Sequence, residues 1–394
     1  MVFAGYGITA PEHGWDDYAG LDVRGKIVLV LRHEPPSFGG GSGGSRYTRH
    51  SYFVTKGKNA RAHGAVGMIL FTDPRFSEPR GEGRADDLRL FSEMRLSPEP
   101  RRREPSSSDV GSLLAVHVSQ DLAGRIAGPA GWSLEELQQA ADSETAPAEI
   151  DLGGIRARLA VQRRSEPVEV GARNVVGFLE GRDPVLKDEW IVVGGHHDHV
   201  GGYAGEGDTI FNGADDNASG ASGVMELAEA FASLRSRPRR SLVFMTFGAE
   251  EVGLLGSRAL VEQEKIPIER LVFMLNFDMI GRNPDDPVEV FSGGHAGFDR
   301  IVEEANASLG LELDLSGVPS DAYSDYYPFY KRGIPFAYFF TGLHEDYHQV
   351  DDHADRLAYG RMERIVRLAY RTLAVIADRE DGGAEDREEA GGEQ

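Results

Sequence analysis

Apolar residues fall along this chain in two textures. Up to about Gly153 they form short runs parted by long polar stretches. Gly25–Leu31, Gly64–Phe71 and Leu114–Val118 read as buried strands. Helical spacing runs from Lys56 to His63 and again from Leu122 to Ile126. Between them, Gly39–Gly44 predicts a flexible loop, and Asp73–Val110, dense in Arg, Glu, Pro and Ser, predicts an exposed one. From Arg156 onward the apolar runs lengthen and alternate with helical patterns. Strands are expected at Asn174–Leu179, Trp190–Val193, Ser241–Phe247, Leu271–Phe277 and Ile334–Phe340. One helix should start at a Ser219 cap and run to about Leu234, with Val224, Leu227, Ala228 and Phe231 facing inward. An amphipathic helix over Arg361–Ala377 closes the pattern.

This order predicts an α/β fold with a mostly parallel central sheet flanked by helices, preceded by a smaller β-rich domain. The expected division is residues 1–153, then 154–378, then an acidic, glycine-rich tail at 379–394 that reads as disordered. A chain of 394 residues suits two domains, and no apolar run approaches the length of a membrane span. The net charge of −22 argues against nucleic acid or an anionic membrane surface as partner. Absence of cysteine removes disulfides and thiolate metal sites, so a transition metal must use histidine and carboxylate. Met1–Gly5 lacks the pattern of a signal peptide, which leaves the compartment open.

Chemistry concentrates where the long strands end. Trp190–Val193 empties into Gly194-Gly195-His196-His197-Asp198-His199. On a strand, residues two apart share a face, so His196 and Asp198 should meet side by side and the carboxylate should fix the imidazole tautomer. Four further motifs follow: Ala214-Asp215-Asp216-Asn217, Ala249-Glu250-Glu251, Asn276-Phe277-Asp278 and His344-Glu345-Asp346-Tyr347-His348. Singly, each also reads as a turn, a helix cap or a polar loop. Adjacent glutamates at a buried strand end repel unless a cation or proton neutralises them, and a lone aspartate in an apolar run needs a partner. In open α/β sheets, sites form beyond the carboxyl ends of strands, and these motifs fall there in succession.

Together the motifs resemble those of di-zinc aminopeptidases of the bacterial leucine aminopeptidase and aminopeptidase Y type, over about residues 165–378. The amino-terminal part, with Phe3-Ala4-Gly5-Tyr6-Gly7-Ile8, Asp16-Asp17-Tyr18 and Gly64-Ala65-Val66-Gly67, resembles a protease-associated domain. The resemblance implies two zinc ions and peptide substrates cut from the amino end. It makes His196, Asp216, Glu251, Asp278 and His348 the metal ligands, with Asp216 bridging. Asp198 becomes the partner of His196, Glu250 the general base for a hydroxide held between the metals, and Tyr347 a group facing the scissile carbonyl. It also implies a cis peptide at Asp216–Asn217, a secreted or periplasmic setting, and a peptidase segment ahead of the protease-associated part. On extended backbone Glu250 and Glu251 would point to opposite sides, one to the metals and one to the water.

Two departures from the family pattern stand out: Tyr326 replaces a frequent histidine, and the chain opens on the insertion itself. The rival readings are an amide hydrolase or glutaminyl cyclase on the same fold, which would typically need one metal, and a receptor-like ectodomain without catalysis. The preferred amino-terminal residue and the oligomeric state are not written in the sequence.

Overall fold

The computed structural model describes residues 1–38, 48–75, 88–90, 113–143, 150–152, 154–159, 171–202, 207–295, 297–316 and 324–379. The Gly39–Gly44 loop, most of Asp73–Val110 and the tail from 380 lie outside the described residues. The chain divides into two compact units, residues 1–168 with 204–209, and residues 169–203 with 210–394. Among the described residues no helix is long and apolar enough to cross a membrane.

In the first unit, six strands form one sheet: β1 (Val2–Phe3), β2 (Ile27–Leu31), β3 (Gly67–Phe71), β4 (Leu88–Leu90), β5 (Leu114–Val118) and β6 (Ile150–Asp151), in the order β4-β5-β3-β2-β1-β6. The run from β5 through β3 and β2 to β1 is parallel, and β4 and β6 flank it antiparallel. Helices α1 (Phe53–Ala62), α2 (Gln120–Ala127) and α3 (Leu134–Ala141) accompany the sheet. Ser119 caps α2 through the Leu122 N–H, and Ser133 with Glu136 closes a capping box on α3. Phe3, Leu29, Leu31, Ile69, Phe71, Val116 and Leu137 make one core. Within the expected exposed loop Arg75 is exposed, but Asp73 is fully buried and Leu88–Leu90 is a strand.

The second unit carries seven strands: β7 (Val175–Leu179), β8 (Trp190–His196), β9 (Ser241–Phe247), β10 (Leu271–Phe277), β11 (Val288–Gly293), β12 (Leu313–Asp314) and β13 (Phe336–Phe340). Their order is β12-β11-β13-β10-β8-β9-β7. β13, β10, β8 and β9 run parallel, so their carboxyl ends share one rim. β7 and β11 pair antiparallel to this block. Register brings His196 level with Phe247, and Phe277 level with Phe339. The motif residues therefore leave the sheet along a single edge.

Helices cover both faces because the central strands alternate two apolar sides. Ile191 and Val193 of β8, with Phe273, Leu275 and Phe277 of β10, pack under α4 (Gly220–Ala232), α6 (Phe298–Asn306) and α8 (Tyr359–Asp378). Ile365, Leu368, Leu373 and Ile376 on α8 recur at helical spacing and are all buried. On the other face α7 (Tyr326–Tyr330) lies against β13 and β10, and α5 (Leu255–Glu262) packs on α7. Tyr326 is fully buried and stacks on Phe336 at 4.3 Å, so it belongs to the core. Ser219 is no helix cap. The chain bends through non-helical Asp216 and Asn217, Ser219 already takes helical angles (φ −60, ψ −50), and its hydroxyl donates to the Asp215 carbonyl instead.

Glycine at the end of β8 permits the close approach that the rim needs. A Cβ on Gly195 would sit 2.8 Å from the Phe277 carbonyl oxygen and 3.4 Å from Asn217 Nδ2, both held by hydrogen bonds that leave little room to yield. Gly195→Ala should lower stability by about 1–3 kcal/mol through overpacking. Gly360→Ala, whose Cβ would meet open space in the first turn of α8, should be neutral or stabilising by up to about 1 kcal/mol. Midpoints of urea unfolding for the two variants, compared with the parent, check the contrast.

Candidate metal centre

His196 is the last residue of β8 and is almost wholly buried. Its Nδ1 lies 3.1 Å from the Asp198 backbone carbonyl, which can only accept, so Nδ1 donates there and Nε2 is the nitrogen that faces the carboxylates. The Asp198 carboxylate does not do this work. It stands 3.8 Å from Nδ1 and instead accepts from the Glu250 and Glu251 N–H groups at 3.0 and 3.3 Å. β8 ends at His196, and beyond it the Asp198 carbonyl, not its carboxylate, makes the closer approach to Nδ1.

Two clusters of ligand-type side chains form around that nitrogen and beyond it. In the first, His196 Nε2 is 3.3 Å from Asp278 Oδ1, 3.3 Å from Asp216 Oδ1 and 4.0 Å from Glu250 Oε2. In the second, His348 Nε2 is 3.0 Å from Asp216 Oδ2 and 3.2 Å from Glu251 Oε2, while His199 Nδ1 is 2.8 Å from Glu251 Oε1. Asp216 thus gives one oxygen to each cluster. Glu250 and Glu251 both reach the site, against the expected alternation. β9 ends at Phe247 and Ala249 takes φ +59, so the strand's alternation is broken before the glutamates.

A second layer holds these side chains in place. Asp352, which no motif contains, accepts from the Asp215 and Asp216 N–H groups. Asn217 donates to the Phe277 carbonyl and accepts from Met279 N–H, tying the bend at Asp216 to the end of β10. The Asp216–Asn217 peptide is cis. Ser324 Oγ donates to Asp278 Oδ2 at 2.7 Å and accepts from Asn276 Nδ2. His344 faces Asp215 at 3.3 Å, and Asp346, held by Arg282 and Arg356, anchors the loop that carries His348. Tyr347 stacks on His348 with ring centroids 3.9 Å apart.

So many carboxylates away from water disturb one another. Burial lifts Glu250 well above the ordinary glutamate range; His196 opposes, while Glu251 and Asp278 reinforce it. Burial likewise raises Asp278 despite His196, and raises Asp325 to about 7. For Asp216, burial is outweighed by the imidazoles of His196 and His348 beside its two oxygens, and its pKa falls. Burial would lower His348, but Glu251 and Asp216 overcome it and push the imidazole up to about 10.

The donor set fits a metal on three counts. Imidazole and carboxylate donors suit zinc. His348 Nε2 is buried with no satisfied hydrogen bond although two carboxylate oxygens stand near it, so the three atoms aim at a common point rather than at each other. Separations of 3.0–3.3 Å between donors also match the edge of a tetrahedron with metal–ligand bonds of about 2.0–2.1 Å, which is roughly 3.3 Å.

Residues 174–373 match the profile of Peptidase family M28, and residues 2–126 match the PA (protease-associated) domain. The chain belongs to peptidase family M28. Among curated relatives it is similar to aminopeptidase YwaD of Bacillus subtilis (strain 168), 27% identical over 202 residues that make 49% of this chain and 42% of that protein. It is 33% identical over 180 residues to leupeptin-inactivating enzyme 1 of Streptomyces exfoliatus, covering 43% of this chain and 36% of the relative. The chain therefore spans less than half the length of these relatives. A solved zinc aminopeptidase from Bacillus subtilis, BSAP, aligns at 21% identity and a TM-score of 0.48, covering 98% of this chain and 76% of that one. All five ligand positions expected from the family motifs fall in the two clusters described above. His199 in the second cluster, and Ser324 and Asp352 in the layer behind, were not foreseen.

A proton balance follows from the raised pKa of His348. A metal takes the deprotonated imidazole, so binding must expel a proton wherever the free site holds one. In chelator-treated protein, apparent zinc affinity should rise with pH up to about 10, with proton release on binding. The stability sign is the reverse: the folded pKa is raised, so the contribution of His348 to the metal-free fold is full below 6.5 and is lost as pH rises toward about 10. Zinc titration against a competing chelator, with melting curves over the same pH series, reads both trends; pH-independent affinity would contradict the assignment.

Proposed function

We propose that this chain is a zinc aminopeptidase that removes amino-terminal residues from peptides with two zinc ions. The reading is carried by Asp216, whose Oδ1 lies 3.3 Å from His196 Nε2 and whose Oδ2 lies 3.0 Å from His348 Nε2. A carboxylate with one oxygen toward each histidine is suited to bridge two ions. Asp278 and His196 would hold the first ion with it, and Glu251 and His348 the second. When bound, the ions supply Lewis acidity and lower the pKa of a water. The protein family and the names of the relatives support the same chemistry.

Glu250 is assigned as general base rather than ligand. Its nearer oxygen stands 4.0 Å from His196 Nε2, beyond the 3.3 Å at which Asp216 and Asp278 lie. It would take a proton from the attacking water and return it to the leaving amine. The Asp198 carboxylate, bound to both glutamate N–H groups, positions Glu250 and Glu251 together. Tyr347, stacked on His348, is assigned to face the scissile carbonyl. Residues 1–153 are read as the protease-associated domain, 154–378 as the peptidase domain and 379–394 as a tail.

The two glutamates separate the roles. Glu250→Gln should keep two zinc ions and lose about 10²–10⁴-fold in kcat, because proton transfer alone is removed. Glu251→Gln should weaken one ion, and excess zinc should restore part of its activity. Elemental analysis of both variants, with kcat on a panel of aminoacyl chromogenic substrates, decides the matter. A metal lost from Glu250→Gln and kept in Glu251→Gln would reverse the assignment. A parent that takes up one zinc at any concentration would favour the cyclase reading instead.

A further inference from the structure

Asp215 stands beside the bridging Asp216 and is fully buried, yet the metal centre proposed above gives it no task. We propose that Asp215 is a positioning residue that sets Asp216, Asp278 and His348 in register with one another. The inference rests on the two-metal reading of this site. Each polar group of Asp215 meets a different part of the chain. Its N–H donates to the Asp352 carboxylate at 3.1 and 2.9 Å, and its carbonyl accepts from Ser219 Oγ at 2.7 Å. Its Oδ1 accepts from Gly281 N–H at 2.6 Å, and its Oδ2 lies 3.3 Å from His344 Nε2.

These partners flank two of the ligands. Met279, Ile280 and Gly281 directly follow Asp278, and their successive N–H groups go to the side chains of Asn217, Ser219 and Asp215. The turn that carries Asp216 thus grips the chain leaving β10 at three points in a row. Asp215 also reaches the other way, because His344 and Asp352 bracket His348 in the closing loop. One carboxylate therefore spans from the Asp278 side of the site to the His348 side, with Asp216 next to it in sequence.

Gly281 makes the first of these ties possible. A Cβ there would lie 2.9 Å from Asp215 Oδ1 and 2.7 Å from Leu357 Cδ2. Burying a carboxylate is costly, and the groups around Asp215 offset that cost only while all three chain segments hold their places. Groups that orient metal ligands are typically worth about 10–100-fold in affinity or activity. A rival role has Asp215 stabilise the fold and leave the ligands alone.

The test uses the full chain, stripped of metal and titrated with zinc against a competing chelator. Cobalt(II) absorption and kcat in excess zinc are further readouts. Asp215→Ala should weaken both ions about 10–100-fold and lower kcat by a similar factor. His344→Leu should weaken one ion only, the one whose cobalt bands also change in Glu251→Gln, because it releases the His348 side alone. Asp215→Asn should recover most of the alanine loss. Its amide oxygen can accept from Gly281 N–H while its NH₂ group faces His344 Nε2. Glu345→Gln, at the exposed neighbour of His344, should bind as the parent does. If Asp215→Ala does not fold, His344→Leu carries the comparison. A folded Asp215→Ala with a lowered Tm but parent affinities and kcat would overturn the proposal and leave the two-metal reading standing. Equal weakening of both ions in His344→Leu would do the same. A parent that fails to bind two ions would overturn both.

Discussion

Asp216 is the residue on which the second unit turns. Its carboxylate is buried between His196 and His348, and each oxygen answers a different imidazole. A buried charge is tolerable only where partners and hydrogen bonds compensate its desolvation. The chain meets that demand with a shell that reaches far in sequence. Asp352 grips the N–H groups of Asp215 and Asp216 from more than 130 residues away, and Asn217 locks the following residue to the end of β10. The backbone around Asp216 is thus fixed by contacts that have no meaning outside the folded unit.

The parallel sheet explains why those contacts can form. Register between β8, β9, β10 and β13 delivers four chain exits to one rim, and small residues in β8 let the turn at Asp216 lie directly on it. Gly195 faces the Phe277 carbonyl, and Gly220 approaches the same oxygen and the Asn217 side chain. These are steric permissions, not sources of stability. The apolar faces under α4, α6 and α8 supply the burial that holds the rim rigid. Rigidity matters because ligand geometry that drifts by an ångström loses its metal or its function.

How much of this could be read from the sequence follows from what each feature depends on. Strands β8, β9, β10 and β13 were legible because an apolar run of their length, ending in glycine or charge, has few other uses. The side chains gathered in the two clusters, which we propose as ligands, stood out through their motifs. The shell was not: Ser324 reaches Asp278, and Asp352 reaches Asp216, only because distant loops converge, and neither lies in a pattern of its own. Local rules misled in two places. Period-two alternation was carried past the end of β8 to Asp198 and past β9 to the glutamates, where Ala249 at φ +59 had already broken it. Ser219 looked like a cap, but it already takes helical angles and its hydroxyl serves Asp215 and Ile280 instead.

Charge offers a last argument for two ions over one. Asp216, Glu250, Glu251 and Asp278 place four carboxylates across the two adjoining clusters, the aspartates buried and the glutamates half-buried, and the histidines bind a metal only when neutral. One dication would leave a net charge of −2 where water is scarce, and protonation would have to make up the difference. Burial already drives Glu250 and Asp278 in that direction when no cation is counted. Two dications balance four carboxylates without any proton and leave Glu250 free to accept one. A general base must be ionised before it can act. The second ion is therefore part of what would make Glu250 a base at all.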